Sequence, residues 1–196
     1  MASQADICNL GLANLGQNPD ITSINPPDGT KYAAAAALFW NIALDKILTE
    51  YDWGFAVRVT ALDAVTVDLP EAWDYSYALP ASFLKPILLQ DADQTDPHYG
   101  IDYEIRGGVL YCNSDDVVLR HVYRNTNTAE YSNAFVITFG ALMAHFLAAP
   151  VTKDPAVSAA WLKMYQSYLA TAMIDNAERS VMPTRYDTPS ISARNV

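Results

Sequence analysis

Two short stretches hold most of the side chains that could do chemistry. Residues 72–80 read AWDYSYALP, with Trp73, Tyr75 and Tyr77 inside five positions and Asp74 among them. Residues 91–100 read DADQTDPHYG, with carboxylates on Asp91, Asp93 and Asp96. In an extended segment, alternation places Trp73, Tyr75 and Tyr77 on one face and Asp74 and Ser76 on the other. Aromatic faces in such a row can stack sugars or bases. The same row also suits the edge of a sheet packed on a helix, with phenol oxygens hydrogen-bonded at the rim. Packing or subunit contact is the expected role of these three aromatics and of Trp53.

The acidic loop invites a calcium reading, but the calcium-loop pattern needs glycine at its sixth position and glutamate at its twelfth. Counted from Asp91, those positions hold Asp96 and Asp102. A hydrated loop is the expectation. Glycosidase chemistry needs two carboxylates at a set separation in space, which a sequence does not supply. The phosphate-cradling G-x-x-x-x-G-K-[ST] motif, H-E-x-x-H and G-x-S-x-G are all missing. His98, His121 and His145 have no close ligand spacing, and His145, beside Phe146 in an apolar helical stretch, reads as a structural histidine. No catalytic residue, metal or cofactor is expected.

Charge narrows the partners. The chain has 22 acids against 12 bases, a formal net charge of -10. The basic footprint that grips DNA or an anionic membrane is missing. Such a balance serves solubility, or a surface that must meet DNA without holding its phosphates. Cys8 and Cys112 are far apart and read as small buried residues in a reducing compartment. The N-terminus lacks the basic region of a secretory signal. No apolar run is expected to approach the roughly 18 residues of a membrane span. The chain is expected to be made in the cytoplasm and to stay there unless it leaves in a particle.

The elements that must position these residues follow from periodicity. The 196 residues suit one domain, 51% of them apolar. Ser3 and Asp6 form a capping-box-like start and Gly16 a C-cap, predicting a helix over 4–15. Apolar steps of three and four through Ala33, Ala37, Trp40, Leu44, Ile47, Leu48 and Tyr51 predict a long helix over 30–51, with Asp28 as its cap. Runs of branched and aromatic residues between 54 and 124, with Gly107 and Gly108 as a two-residue hairpin turn, predict one small antiparallel sheet. Two further helices, 130–149 ended by Pro150 and 155–178 started by Asp154 and Pro155, should form an antiparallel hairpin. The expected class is α+β: a bundle of about four helices, an inserted sheet, and an arm over 181–196. That last stretch has two prolines, no periodicity, and Arg185 and Arg194 against Asp187; it suits a frayed terminus or an arm that orders against another subunit.

Four stretches carry a resemblance: ADICNLGLANLGQNPDITSI, the helix leading into ILTEYDWGFAVR, WDYSYALPASFLKPILL, and FVITFGALMAHFLAAPVTKDPAVSAAWLKMYQSYLATA. With RGGVLY before the last strand, their order resembles the tail tubular protein A, or head-to-tail adaptor (gatekeeper), family of short-tailed bacteriophages. Tyr51, Asp52, Trp53 and Phe55, and the W-x-Y-x-Y-x-L-P segment, are the most specific part. The acidic DADQTD loop and the tail depart from the pattern.

The resemblance implies a structural virion protein at the head-tail interface, without turnover. It implies a homo-oligomeric ring, twelvefold like the portal above it, joined below to a tail nozzle of the tail tubular protein B kind, with tail fibres lodged at the joint. Viral DNA would pass through the ring during ejection without specific binding, and no membrane would be involved. Met182, Pro183, Arg185, Tyr186 and Arg194 then become candidate contacts with the portal or a neighbouring subunit. Two other classes compete: a virion-borne glycan hydrolase with a carboxylate pair and an aromatic platform, and a free cytoplasmic binding module.

Overall fold

The computed structural model describes residues 2–179; the candidate arm residues Met182, Pro183, Arg185, Tyr186 and Arg194 lie outside them. Capping chemistry sets most helix ends. α1 (Gln4–Asn14) starts with a reciprocal box in which the Ser3 hydroxyl accepts from the Asp6 N–H and the Asp6 carboxylate accepts from the Ser3 N–H. α2 (Ala33–Glu50) has no side-chain cap. Asp28, expected to cap it, instead ties down the loop before it, accepting from the N–H and hydroxyl of both Thr22 and Thr30 and from the Ser23 N–H. These bonds, the Thr22 N–H first among them, hold its carboxyl well below the usual range. The same loop is fixed to α1 by Asn9, whose side-chain amide donates to the Ile21 carbonyl and accepts from the Ile21 N–H.

Six strands follow: β1 (Val57–Ala61), β2 (Tyr75–Ala78), β3 (Phe83–Asp91), β4 (Tyr103–Arg106), β5 (Val109–Cys112) and β6 (Val117–Tyr123). α3 (Asn133–Thr152) and α4 (Pro155–Glu178) close the described chain, capped by Ser132 and Asp154. Pro150 does not end α3 as expected. A proline in the last turn removes one hydrogen bond only, and the helix runs on to Thr152 before Lys153, left-handed at φ 58, closes it. α4 returns antiparallel along α3, so Ser158 meets His145 near the connection.

α3 is the axis of the helical layer, with α1, α2 and α4 all packed on it. It has a mean hydropathy of 1.9 and is long and apolar enough to cross a membrane, which corrects the expectation that no run approaches that length. Here it is a core helix, more than half buried among its neighbours.

The fold class is α+β as expected, but the insertion holds two three-stranded antiparallel sheets, ordered β1-β6-β3 and β2-β5-β4, rather than one. The reason lies in β3 and β6, which carry apolar side chains on both faces. Leu84, Ile87 and Val122 join the helical core, while Phe83, Leu89, Val117 and Leu119 meet Tyr77, Leu110 and Cys112 of the second sheet. A sheet buried on both sides needs a second cover. The molecule is therefore three layers: helices, first sheet, second sheet. Gly107 and Gly108, both at positive φ, form the two-residue turn between β4 and β5 as expected. Pro86 sits in β3, an outer strand of its sheet, beside irregularities in pairing, where a missing N–H is tolerated.

Candidate interaction surfaces

Trp53 is fully buried, and its indole N–H donates to the Ile47 carbonyl at 2.8 Å. Tyr51 and Phe55 lie against its ring, and Phe135 meets it edge-on with centroids 5.0 Å apart. Phe55, Tyr131 and Phe135 continue the cluster towards Phe139 and Trp40. The Tyr51 to Phe55 stretch is thus the joint where α2, the first strand and α3 meet.

The AWDYSYALP stretch does not keep one aromatic face. β2 begins only at Tyr75; Trp73 precedes it in a turn closed by its own N–H to the Pro70 carbonyl, so strand alternation does not reach back to it. Tyr77 is buried between the sheets and donates to the Ser114 carbonyl at 2.8 Å; burial first, then nearby Cys112 and aspartates, pushes its phenol up to about 12. Tyr75 is exposed. Ser76, expected to face outward, is buried because residues 63–65 run along the free edge of β2, and its hydroxyl donates to the Val65 carbonyl.

Trp73 reaches instead towards β4, where its indole N–H donates to Glu104. It lines an open cleft of about 330 Å³ with Asp91, Tyr99, Asp102, Asn113 and Ser114. A carboxylic acid acting as a proton donor at neutral pH needs burial to raise its pKa. Asp102 is exposed, and Glu104 is held below the usual carboxylate range by bonds from Arg106 and then Trp73. Among the described residues no group of three or more His, Cys, Asp or Glu side chains is placed to hold a metal ion. His98 is exposed, His121 is buried beside Phe83, and His145 bonds Ser158 across the α3–α4 connection.

Three apolar surfaces have no cover within the described chain. Leu38 and Ile42, 67% and 54% exposed, stand one turn apart on the side of α2 turned away from α3. Val67, Leu69 and Tyr75 are exposed on the excursion that leads into β2, at the margin of the second sheet. Between α3 and α4 runs a groove of about 300 Å³ walled by Ala134, Ile137, Thr138, Tyr168, Thr171 and Ala172.

Long-range polar contacts join the layers beneath these surfaces. Lys85 of β3 pairs with Asp52 at 2.6 Å and donates to the Thr49 carbonyl at the end of α2. Arg124, just past β6, forms a two-pronged pair with Asp45. Glu50 takes Lys46 on one oxygen and the Tyr165 hydroxyl on the other, tying α4 to α2. Of these partners, Lys46 and Glu50 alone stand four apart on a helix and so carry a sequence signal for pairing. No family model matches the chain, and no curated protein matches it.

Proposed function

We infer that the protein is a structural subunit of a short-tailed phage virion, forming a ring adaptor between the portal and the tail nozzle through which DNA leaves the head. The order of the resembling segments motivates this reading. The observation that supports it most is the pair of unlike apolar surfaces, Leu38 with Ile42 on the helical layer and Val67, Leu69 and Tyr75 on the second sheet. A closed ring uses two different patches on every subunit, each meeting the other on a neighbour. The net charge of -10 suits a conduit that must not hold phosphate. The rigid joint around Trp53 and the ion pairs between layers suit a subunit that transmits load without changing shape.

The arm residues Met182, Pro183, Arg185, Tyr186 and Arg194 make the portal contact in this reading, supplying cations that the acidic body has few of. A chain ending at Ser180 should keep the helical circular dichroism signal yet fail to co-sediment with the portal. Unchanged co-sedimentation would remove the arm from the account.

The hydrolase reading rests on one feature, the cleft that brings Trp73 beside Asp91 and Asp102. Release of reducing ends from a host capsule polymer, lost on Trp73→Ala in a folded chain, would favour it. The adaptor reading expects no release.

A further inference from the structure

Each sheet has two outer edges, and three of the four are closed or guarded. β3 carries Pro86 and two irregularities in its pairing, and the Ile101 N–H donates to its Leu89 carbonyl. Residues 63–65 run along β2, where the Ala78 N–H donates to the Asp63 carbonyl and the Val65 N–H to the Ser76 carbonyl. β4 is four residues long and carries Glu104 and Arg106. Such devices keep foreign strands off an edge. β1 pairs with β6 alone, regularly and without proline. Its one charge, Arg58, lies over the Tyr123 ring at 3.7 Å.

The bare edge offers backbone groups at alternate residues. The Leu62 N–H donates to the Val117 carbonyl. Counting back by the alternation of an antiparallel ladder, Thr60 and Arg58 also bond to β6, so Val57, Val59 and Ala61 turn their N–H and C=O groups away from it. The side chains of these three share the face on which Val122, opposite Val57, enters the helical core. The helices cover only that end, for Val59 is 65% exposed and Ala61 is exposed as well. Arg120 stands opposite Val59, with Leu88 on its other side. It is half-buried, and among the described arginines it alone meets neither a carboxylate nor an aromatic ring: Arg58 has Tyr123, Arg106 has Glu104, Arg124 has Asp45 and Arg179 has Asp175. A guanidinium partly withdrawn from water is best satisfied by a carboxylate.

We propose that β1 is a docking edge for an extended segment of a partner protein that carries a glutamate with a branched apolar residue two positions to either side. The segment adds as a further strand, its backbone bonding to the outward groups of Val57, Val59 and Ala61. Its apolar side chains lie beside Val57 and Ala61. Its glutamate, two strand spacings or about 10 Å from Arg120, reaches across Val59 to the guanidinium. The inference does not rest on the adaptor reading, and the isolated full chain tests it without a portal.

The probe is a capped peptide of alternating threonine and valine with a glutamate at its centre. Amide NMR of the full chain should show saturable shifts at 57–61 as this peptide is added. The same peptide with a central lysine should bind about tenfold more weakly, the factor that one charged hydrogen bond supplies, and Arg120→Gln should erase the difference. Val59→Pro removes an outward N–H at an edge position, where proline is tolerated; it should abolish binding and leave the rest of the spectrum in place. No shift at 57–61 with the glutamate peptide, or equal binding of the two peptides, would overturn the proposal. So would shifts at 57–61 that grow with protein concentration in the absence of peptide, because the edge would then belong to a second copy.

Discussion

Tyr165 donates its hydroxyl to the Glu50 carboxylate at 2.5 Å, while Lys46 takes the other oxygen from the preceding turn of α2. Burial first, and then Glu50, pushes the Tyr165 phenol far above its ordinary range, and burial does the same at Tyr131 and Tyr77. In each case the native state holds a proton that the unfolded chain releases near pH 10. Their contribution is therefore complete below about pH 10 and is lost as pH rises above it. Thermal melts should hold steady on this account up to that pH and then fall, with the tyrosinate absorbance of these three buried phenols appearing together with unfolding. Tyr165→Phe should cost about 1.5–3 kcal/mol at neutral pH, the range for a hydrogen bond to a charged acceptor, and should make the alkaline fall shallower. An unchanged urea midpoint would show that the α2–α4 tie contributes nothing. The density of aromatic residues around Trp53 was legible as a packing feature. The bond between Glu50 and Tyr165 was not, because 115 positions separate partners that only the return of α4 brings together.

At the scale of elements, close approach decides more than propensity. α1 and α3 meet at two glycines: a Cβ on Gly11 would lie 2.9 Å from the Met143 Cβ and 3.2 Å from the Ala144 nitrogen, and one on Gly140 would lie 2.5 Å from a Leu10 methyl. Leu10 is half-buried and can turn aside, whereas Gly11 faces the fully buried Met143 and Ala144, with α3 backbone among the atoms it would meet. Alanine improves an exposed helix by about 1 kcal/mol over glycine. At Gly11 the overpacking should outweigh that gain, so Gly11→Ala should destabilise by about 1–3 kcal/mol in urea unfolding. A gain in stability would mean that α1 is free to shift on α3. The starts of α1 and α4 and the Gly107–Gly108 turn were readable because capping and positive φ are local requirements; the start of α2 was not, because Asp28 bonds the loop instead. The second sheet was not readable as a separate layer. Leu89 and Leu119 look like any strand residues until the helices are seen to cover only the other face of the first sheet. Trp73 was misassigned to the strand face for a related reason: the turn at Pro70 breaks the alternation before β2 begins.

At the scale of the whole molecule, Lys85 with Asp52 and Arg124 with Asp45 lock the helical layer to the first sheet. The second sheet packs on the first through apolar side chains, and apolar side chains remain exposed on the helical layer and the second sheet. Charge and class were legible from composition; the outward surfaces were not, since Leu38 and Ile42, off the stripe of Ala33, Trp40, Leu44 and Ile47, are apolar residues whose partner no local pattern names. The central claim is that these surfaces join copies into a ring under a portal. Purified protein mixed with the portal protein from the same genome, imaged by negative-stain electron microscopy, tests it most directly. The account predicts an added layer with the portal's symmetry on its tail-side face, and loss of that layer when Leu38→Asp and Ile42→Asp are combined in a chain that still folds. A bare portal beside folded wild-type protein would contradict it.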